Sequence, residues 1–162
     1  EENDTHFWEK GSEPVVFEID GLKFSVPICF EDTFGYIGRR FVNNGARAFV
    51  NMSNDSWARS RACQLQHLSM AVFRSVENRV PSVRATASGE TVFVDPNGRI
   101  TASIAPFEEN YLVSTIPLIT DYKPTIYTRF GDYAGVLFTI FAFILLIFGG
   151  IMQIYKKSKK EK

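Results

Sequence analysis

Cys29 ends an apolar run, Phe24-Ser-Val-Pro-Ile-Cys-Phe-Glu-Asp, with a carboxylate two positions later and another directly after that. A helix-like segment follows, so the thiol stands on a strand-to-helix turn. At such a turn backbone N–H groups and the positive end of the helix face a thiolate, or an oxyanion formed beside it. That is nucleophile chemistry, and Cys29 is the candidate. The competing reading is a small buried hydrophobe. Cys63, in Arg61-Ala-Cys-Gln-Leu, precedes a helix with no such turn and keeps the bland reading. In an oxidising compartment the two could instead be joined, a Cys29–Cys63 disulfide worth about 2–4 kcal/mol.

The elements that must position Cys29 follow from periodicity. Val15 to Ile19 and Leu22 to Ile28 flank Asp20-Gly21, a strong hairpin signal, and Pro27 predicts that the second strand leaves its ladder. Thr33 to Asn44 predicts a helix with Phe34, Ile37 and Phe41 on one face and Gly45 as its cap. Ala46 to Met52 predicts a buried strand, and Gln64 to Asn78 a helix with Leu65, Leu68, Val72 and Val76 at helical spacing, stopped by Pro81. Ser82 to Ala87, Thr91 to Asp95, Arg99 to Ile104 and Tyr111 to Ile116 predict further strands, with Pro96-Asn97-Gly98 as a turn. The pattern is α/β, in which sites collect at the carboxyl ends of strands.

Of the 162 residues, 18 are Lys or Arg and 18 are Asp or Glu, which excludes a basic nucleic-acid binder and a disordered polyelectrolyte. The balance hides an asymmetry. Lys156 to Lys162 holds five lysines and one glutamate, leaving −4 on the rest. Between them, residues 133–155 carry no charge. As a helix they would span about 34 Å, enough for a hydrocarbon core of roughly 30 Å. The stretch is apolar on every face, Tyr127, Tyr133 and Tyr155 sit where rings favour the headgroup level, and the lysines follow directly. The sequence therefore predicts three parts: an extracytoplasmic domain over 1–130, a transmembrane helix over 133–155 and a basic cytoplasmic tail over 156–162. Glu1 is not an initiator Met and no signal-like leader follows it, so the chain is expected to be a C-terminal piece.

Four segments carry a resemblance. They are Val26-Pro-Ile-Cys-Phe-Glu-Asp; Asn44-Gly-Ala-Arg-Ala-Phe-Val-Asn-Met-Ser-Asn-Asp-Ser-Trp; Gln66-His-Leu-Ser-Met-Ala-Val-Phe-Arg-Ser-Val-Glu-Asn-Arg; and Val83-Arg-Ala-Thr-Ala-Ser-Gly with Asp95-Pro-Asn-Gly-Arg-Ile. With Thr125-Ile-Tyr-Thr-Arg-Phe-Gly-Asp as a link into the last span, the sequence from about Gly11 onward resembles the apolipoprotein N-acyltransferases, the membrane-bound branch of the nitrilase superfamily. The resemblance implies a partial nitrilase-like α-β-β-α sandwich followed by one C-terminal transmembrane helix, in the inner membrane of a bacterium with the folded part periplasmic.

It also implies an activity. A thiolate takes an acyl chain from a phospholipid as a thioester, and the amine of a diacylglyceryl-modified apolipoprotein accepts it, with no metal and no cofactor. Cys29 falls on the family's nucleophile and Glu31 on its supporting acid, while Phe30 stands where relatives often have Tyr. The family's glutamate base and lysine have no matching motif here. Lys10 lies in a polar leader and Lys23 on a hairpin strand, and Glu13 and Glu18 fail likewise, so the chain alone is expected to be inactive. Asn54, Asp55 and Trp57 follow a strand end, where the rim of an acyl pocket or turn chemistry are both open.

Other polar residues are weaker candidates. His67 could act as a base or, with Cys63, ligate a metal, but two ligands are too few and a hydrogen-bonded helix histidine is expected. Arg74, Glu77, Arg79 and Arg84 are expected to form a buried ion network between helix and sheet. The glycosylation patterns at Asn51 and Asn54 are discounted. Two alternatives to the acyltransferase stay open: a membrane-tethered nitrilase-type amidase that passes the acyl group to water, and a non-catalytic anchored module with the two cysteines joined.

Overall fold

The computed structural model of the protein describes residues 11–160. The leader with Lys10, and Glu161 and Lys162 of the basic tail, lie outside the described residues. Strands β1 (Phe17–Ile19) and β2 (Leu22–Phe24) pair antiparallel around Asp20-Gly21. Both turn residues have positive φ, 49° and 81°, the conformations that a two-residue type I′ turn needs. Past Phe24 the chain leaves this ladder and runs parallel to β3 (Phe49–Asn54), pairing Ser25 with Phe49 and Ile28 with Met52. Cys29 thus follows the carboxyl end of an extended segment laid along β3.

The next element differs from expectation. Cys29–Thr33 closes as a 3-10 turn, and α1 (Gly35–Asn43) starts two residues later than Thr33. Thr33 Oγ1 donates to Phe30 O at 2.8 Å, and Phe34 precedes the helix and stays exposed. The buried face of α1 is Gly38 and Val42, one turn apart. Gly38 lets the helix approach closely, since a Cβ there would lie 3.3 Å from Arg74 Cδ and 3.5 Å from the Phe49 ring.

β3 and β4 (Ser82–Ala87) are parallel, from Phe49 opposite Ser82 to Asn54 opposite Ala87, and α2 (Arg61–Asn78) is the crossover between them. β5 (Thr91–Val94) and β6 (Ile100–Ile104) continue the sheet antiparallel, giving the order β3-β4-β5-β6. This is an α/β arrangement with a mixed sheet. One core cluster joins Val42, Phe49 and Val80, and another joins Leu68 of α2 to Val92 and Val94. Tyr111 to Ile116 forms no strand: it has no ladder partner, and Tyr111 and Val113 are exposed. Beyond it Tyr122 O–H donates to Asn78 O at 2.9 Å, and buried Thr128, on the short helix α3 (Ile126–Phe130), reaches Asn78 Oδ1 at 3.1 Å.

The chain divides into two compact units, residues 1–129 and 130–162. The second is dominated by α4 (Tyr133–Lys160), whose described side chains are all exposed. Its segment Tyr133–Lys157 is long and apolar enough to cross a membrane, by length and composition.

Candidate active site

The site is built largely by one strand. Side chains alternate along β3, so Phe49, Asn51 and Ser53 share a face and Asp55 follows on from them. Phe49 enters the core. Asn51 Nδ2 donates to Pro27 O at 3.0 Å and to Cys29 O at 3.1 Å, holding the chain on either side of the turn. Ser53 Oγ lies 3.5 Å from Cys29 Sγ and 3.0 Å from Asp55 Oδ1.

Cys29 itself has φ of 50°, a left-handed conformation that costs a non-glycine residue about 1–3 kcal/mol. Glu31 secures the bend. Its Oε2 accepts the Ile28 N–H at 2.7 Å while its own N–H donates to Ile28 O at 3.1 Å, a reciprocal clasp across the residue before the thiol. Cys29 is half-buried and its thiol is free. The arrangement resembles a nucleophile elbow, where a strained bend lifts the reacting atom out of the packed interior.

Beneath the bend lies a buried ion cluster. Asp32, Asp55, His67 and Arg84 are each no more than 4% exposed. Arg84 Nε reaches Asp32 Oδ2 and its Nη2 reaches Asp55 Oδ2, both at 3.1 Å. His67 Nε2 donates to Asp32 Oδ1 at 2.8 Å, and Nδ1 sits 3.1 Å from Asp55 Oδ1 and 2.9 Å from Arg84 Nη2. The Phe30 ring packs on the imidazole at 5.1 Å. Gly89 leaves room for one carboxylate, since a Cβ there would lie 2.5 Å from Asp55 Oδ2. The cluster ties the Cys29 turn, β3, α2 and β4 into one rigid frame, because no member can lose its partners without stranding a buried charge.

The structure brings Cys29, Phe30, Glu31 and Asp55 into one neighbourhood. Asp55 is buried, with its carboxylate paired to Arg84, at the inner end of the cleft that Trp57 also lines. Asn54 serves the turn: it is exposed and its Oδ1 accepts the Ser56 N–H at 3.0 Å. Trp57 is 65% exposed and, with Phe30, Asp55, Cys63, His67 and Met70, lines an open cleft.

The ion network expected from four residues divides. Arg74 Nη2 pairs with Glu77 at 2.9 Å and its Nη1 donates to Thr33 O, Arg84 joins the cluster, and Arg79 stays outside. Arg79 takes φ of 54° as the cap of α2 and is exposed, donating to Asn97. Both cysteines are free thiols, which overturns the disulfide-linked module. Lys23 and Glu18 pair with each other at 3.8 Å on the exposed hairpin. Sequence reasoning missed Asp32, Asn51 and Ser53 and gave His67 only a structural place. The alternation through Phe49, Asn51, Ser53 and Asp55 was the available signal.

A fold of this kind, with a cysteine on a strained bend, defines a class that the comparisons settle: the carbon-nitrogen hydrolase family matches residues 1–123, and the chain belongs to it. Within that family it is similar to apolipoprotein N-acyltransferase 1 of Treponema denticola, 49% identical over 98% of this chain, and to apolipoprotein N-acyltransferase 1 of Treponema pallidum, 52% identical over 96%. The chain spans 29% and 28% of the lengths of those relatives. Among solved structures, a carbon-nitrogen hydrolase from Helicobacter pylori superposes with a TM-score of 0.53 at 16% identity, covering 63% of this chain and 42% of that one. An amidase of the nitrilase superfamily from Nesterenkonia AN1 gives 0.53 at 17% identity, covering 62% and 40%.

Proposed function

We propose that the chain supplies the nucleophile portion of an apolipoprotein N-acyltransferase. Cys29 attacks the ester carbonyl of a phospholipid, its sulfur bonding to the acyl carbon as the lysophospholipid alkoxide leaves and takes up a proton. The amine of a diacylglyceryl-cysteine lipoprotein then attacks the thioester, forming an amide as the C–S bond breaks and the amine's proton passes to the departing sulfur. A thiol suits this exchange, because a thioester is activated enough for an uncharged amine and thiolate is a good leaving group. Glu31 acts by holding the bend that presents the sulfur.

The observation that carries this reading is the half-buried free thiol at a left-handed bend, clasped by Glu31. Similarity over nearly all of this chain to a segment of two named acyltransferases supports the choice among carbon-nitrogen hydrolase chemistries. We assign α4 to the bacterial inner membrane, with the lysines after it in the cytoplasm by the positive-inside bias and the folded unit in the periplasm. The family's glutamate base and lysine find no counterpart motif in these 162 residues, so the chain alone forms no thioester.

The test is a chimera in which this chain replaces the matching segment of the Treponema denticola relative, incubated with phospholipid. An acyl mass on the Cys29 peptide that moves to an added diacylglyceryl-cysteine peptide supports transfer. Release as free fatty acid, whatever acceptor is present, replaces transfer by amidase-type hydrolysis. An active chimera with no acyl mass on Cys29 rejects the proposal, and a thioester on the isolated chain rejects its inactivity.

A further inference from the structure

Ser53 connects the thiol to the buried cluster, and the proposed chemistry leaves it unused. A hydroxyl has one proton and two acceptor lone pairs. Ser53 Oγ faces two groups that could take that proton, Asp55 Oδ1 at 3.0 Å and Cys29 Sγ at 3.5 Å. While the sulfur is a thiol, S–H donates to Ser53 Oγ and the hydroxyl proton goes to the carboxylate, the shorter and charge-assisted bond. Once the sulfur is a thiolate it can only accept. The hydroxyl proton then turns toward it.

That rotation normally strands an acceptor, yet here Asp55 keeps a cation. Arg84 Nη2 holds its Oδ2 at 3.1 Å. The remaining nearby carboxylates do not compete: Glu31 is occupied by the Ile28 N–H and Asp32 by His67 and Arg84. Ser53 is also fixed at its backbone, in register with Thr86 of β4, so the hydroxyl rotor is the part free to respond.

We infer that Ser53 is a positioning residue that stabilises the Cys29 thiolate by swinging its hydroxyl proton from Asp55 to the sulfur, while Arg84 keeps Asp55 paired. The inference rests on Cys29 being the nucleophile. No covalent bond changes in the swing. It gives the buried cluster a task besides rigidity, namely to make the donor's departure inexpensive.

The full chain in detergent micelles is alkylated with iodoacetamide at neutral pH, the Cys29 and Cys63 peptides being quantified separately by mass spectrometry. Sulfur bonds to carbon, iodide leaves and the thiol proton passes to buffer. Ser53→Ala is expected to slow Cys29 about three- to ten-fold, with Cys63 unchanged. Ser53→Thr keeps the hydroxyl and suits a strand, and should restore the rate to within about two-fold, whereas its isostere Ser53→Val should stay slow. Ala and Val variants that react at the original rate, or Thr as slow as Val, overturn the role of Ser53 and leave the nucleophile standing. A Cys29 inert in the unaltered chain while Cys63 reacts removes the nucleophile, and this inference with it.

Discussion

The two cysteines invite comparison because they share a chemistry and a degree of exposure. Both are half-buried, both are free, and they lie 34 positions apart in one folded unit. Cys63 sits in the first turn of α2 and lines a largely apolar cleft with Trp57 and Met70. Cys29 sits at a left-handed bend, with its carbonyl held by Asn51, its sulfur beside Ser53 and its preceding residue clasped by Glu31. Accessibility therefore does not separate them. The backbone and its polar supports do, and those come from distant parts of the chain.

The largest effect expected from this contrast is on catalysis. In the chimera, Cys29→Ala should lower acyl transfer on the order of 10³-fold or more, while Cys63→Ala stays within about two-fold. Equal losses would erase the distinction. Next comes the frame below the bend. Arg84→Met leaves Asp32 and Asp55 facing each other without their shared cation, and should cost about 3–5 kcal/mol in denaturant unfolding of the chain. Cys63→Ser should cost less than about 1 kcal/mol, since it exchanges one small side chain for another at a half-buried helix position.

A smaller change sharpens the comparison further. Glu31→Ala opens the clasp and should lower stability by about 1 kcal/mol, with faster hydrogen exchange at the Ile28 amide; Glu31→Gln retains an acceptor and should fall between. The smallest effect is a control away from both thiols. Asp95 accepts the Arg99 and Asn97 N–H groups across the β5–β6 turn, and the Arg99 backbone bond, foremost, holds its carboxyl below the usual carboxylate range. Its contribution is complete above about pH 4, the unfolded carboxylate's range, and fades as pH drops through the lower folded value. Asp95→Asn should flatten the acid side of the stability profile slightly and leave both alkylation rates untouched.

How much of this was legible in the sequence depends on which physical signal carried it. Local rules served well: Asp20-Gly21 and Gly45 act through their own φ, 49°, 81° and 110°, and Pro27 through its missing N–H. The turn that carries Cys29 was legible because an apolar run ends there. The inner face of α2 was read only in part: Leu68 is buried with Val72 packed beside it, but Leu65 is exposed and the rest of the buried stripe is Gln64, His67, Ala71, Arg74, Ser75 and Asn78. Polar groups buried against one another leave no hydrophobic period to read. The cluster joins Asp32, Asp55, His67 and Arg84 from four elements, and their pairing exists only once the β3-α2-β4 crossover has closed. Tyr111 to Ile116 failed for the opposite reason: its composition suits a strand, but a strand requires a neighbour.

The left-handed bend leaves the molecule in conflict with the residue it displays. At φ of 50° glycine would sit at ease where cysteine does not, so under the proposed role of Cys29 selection for a tougher fold and selection for a working sulfur pull position 29 in opposite directions. A drifting copy freed from its chemical duty should lose that sulfur early and melt at a higher temperature for having done so.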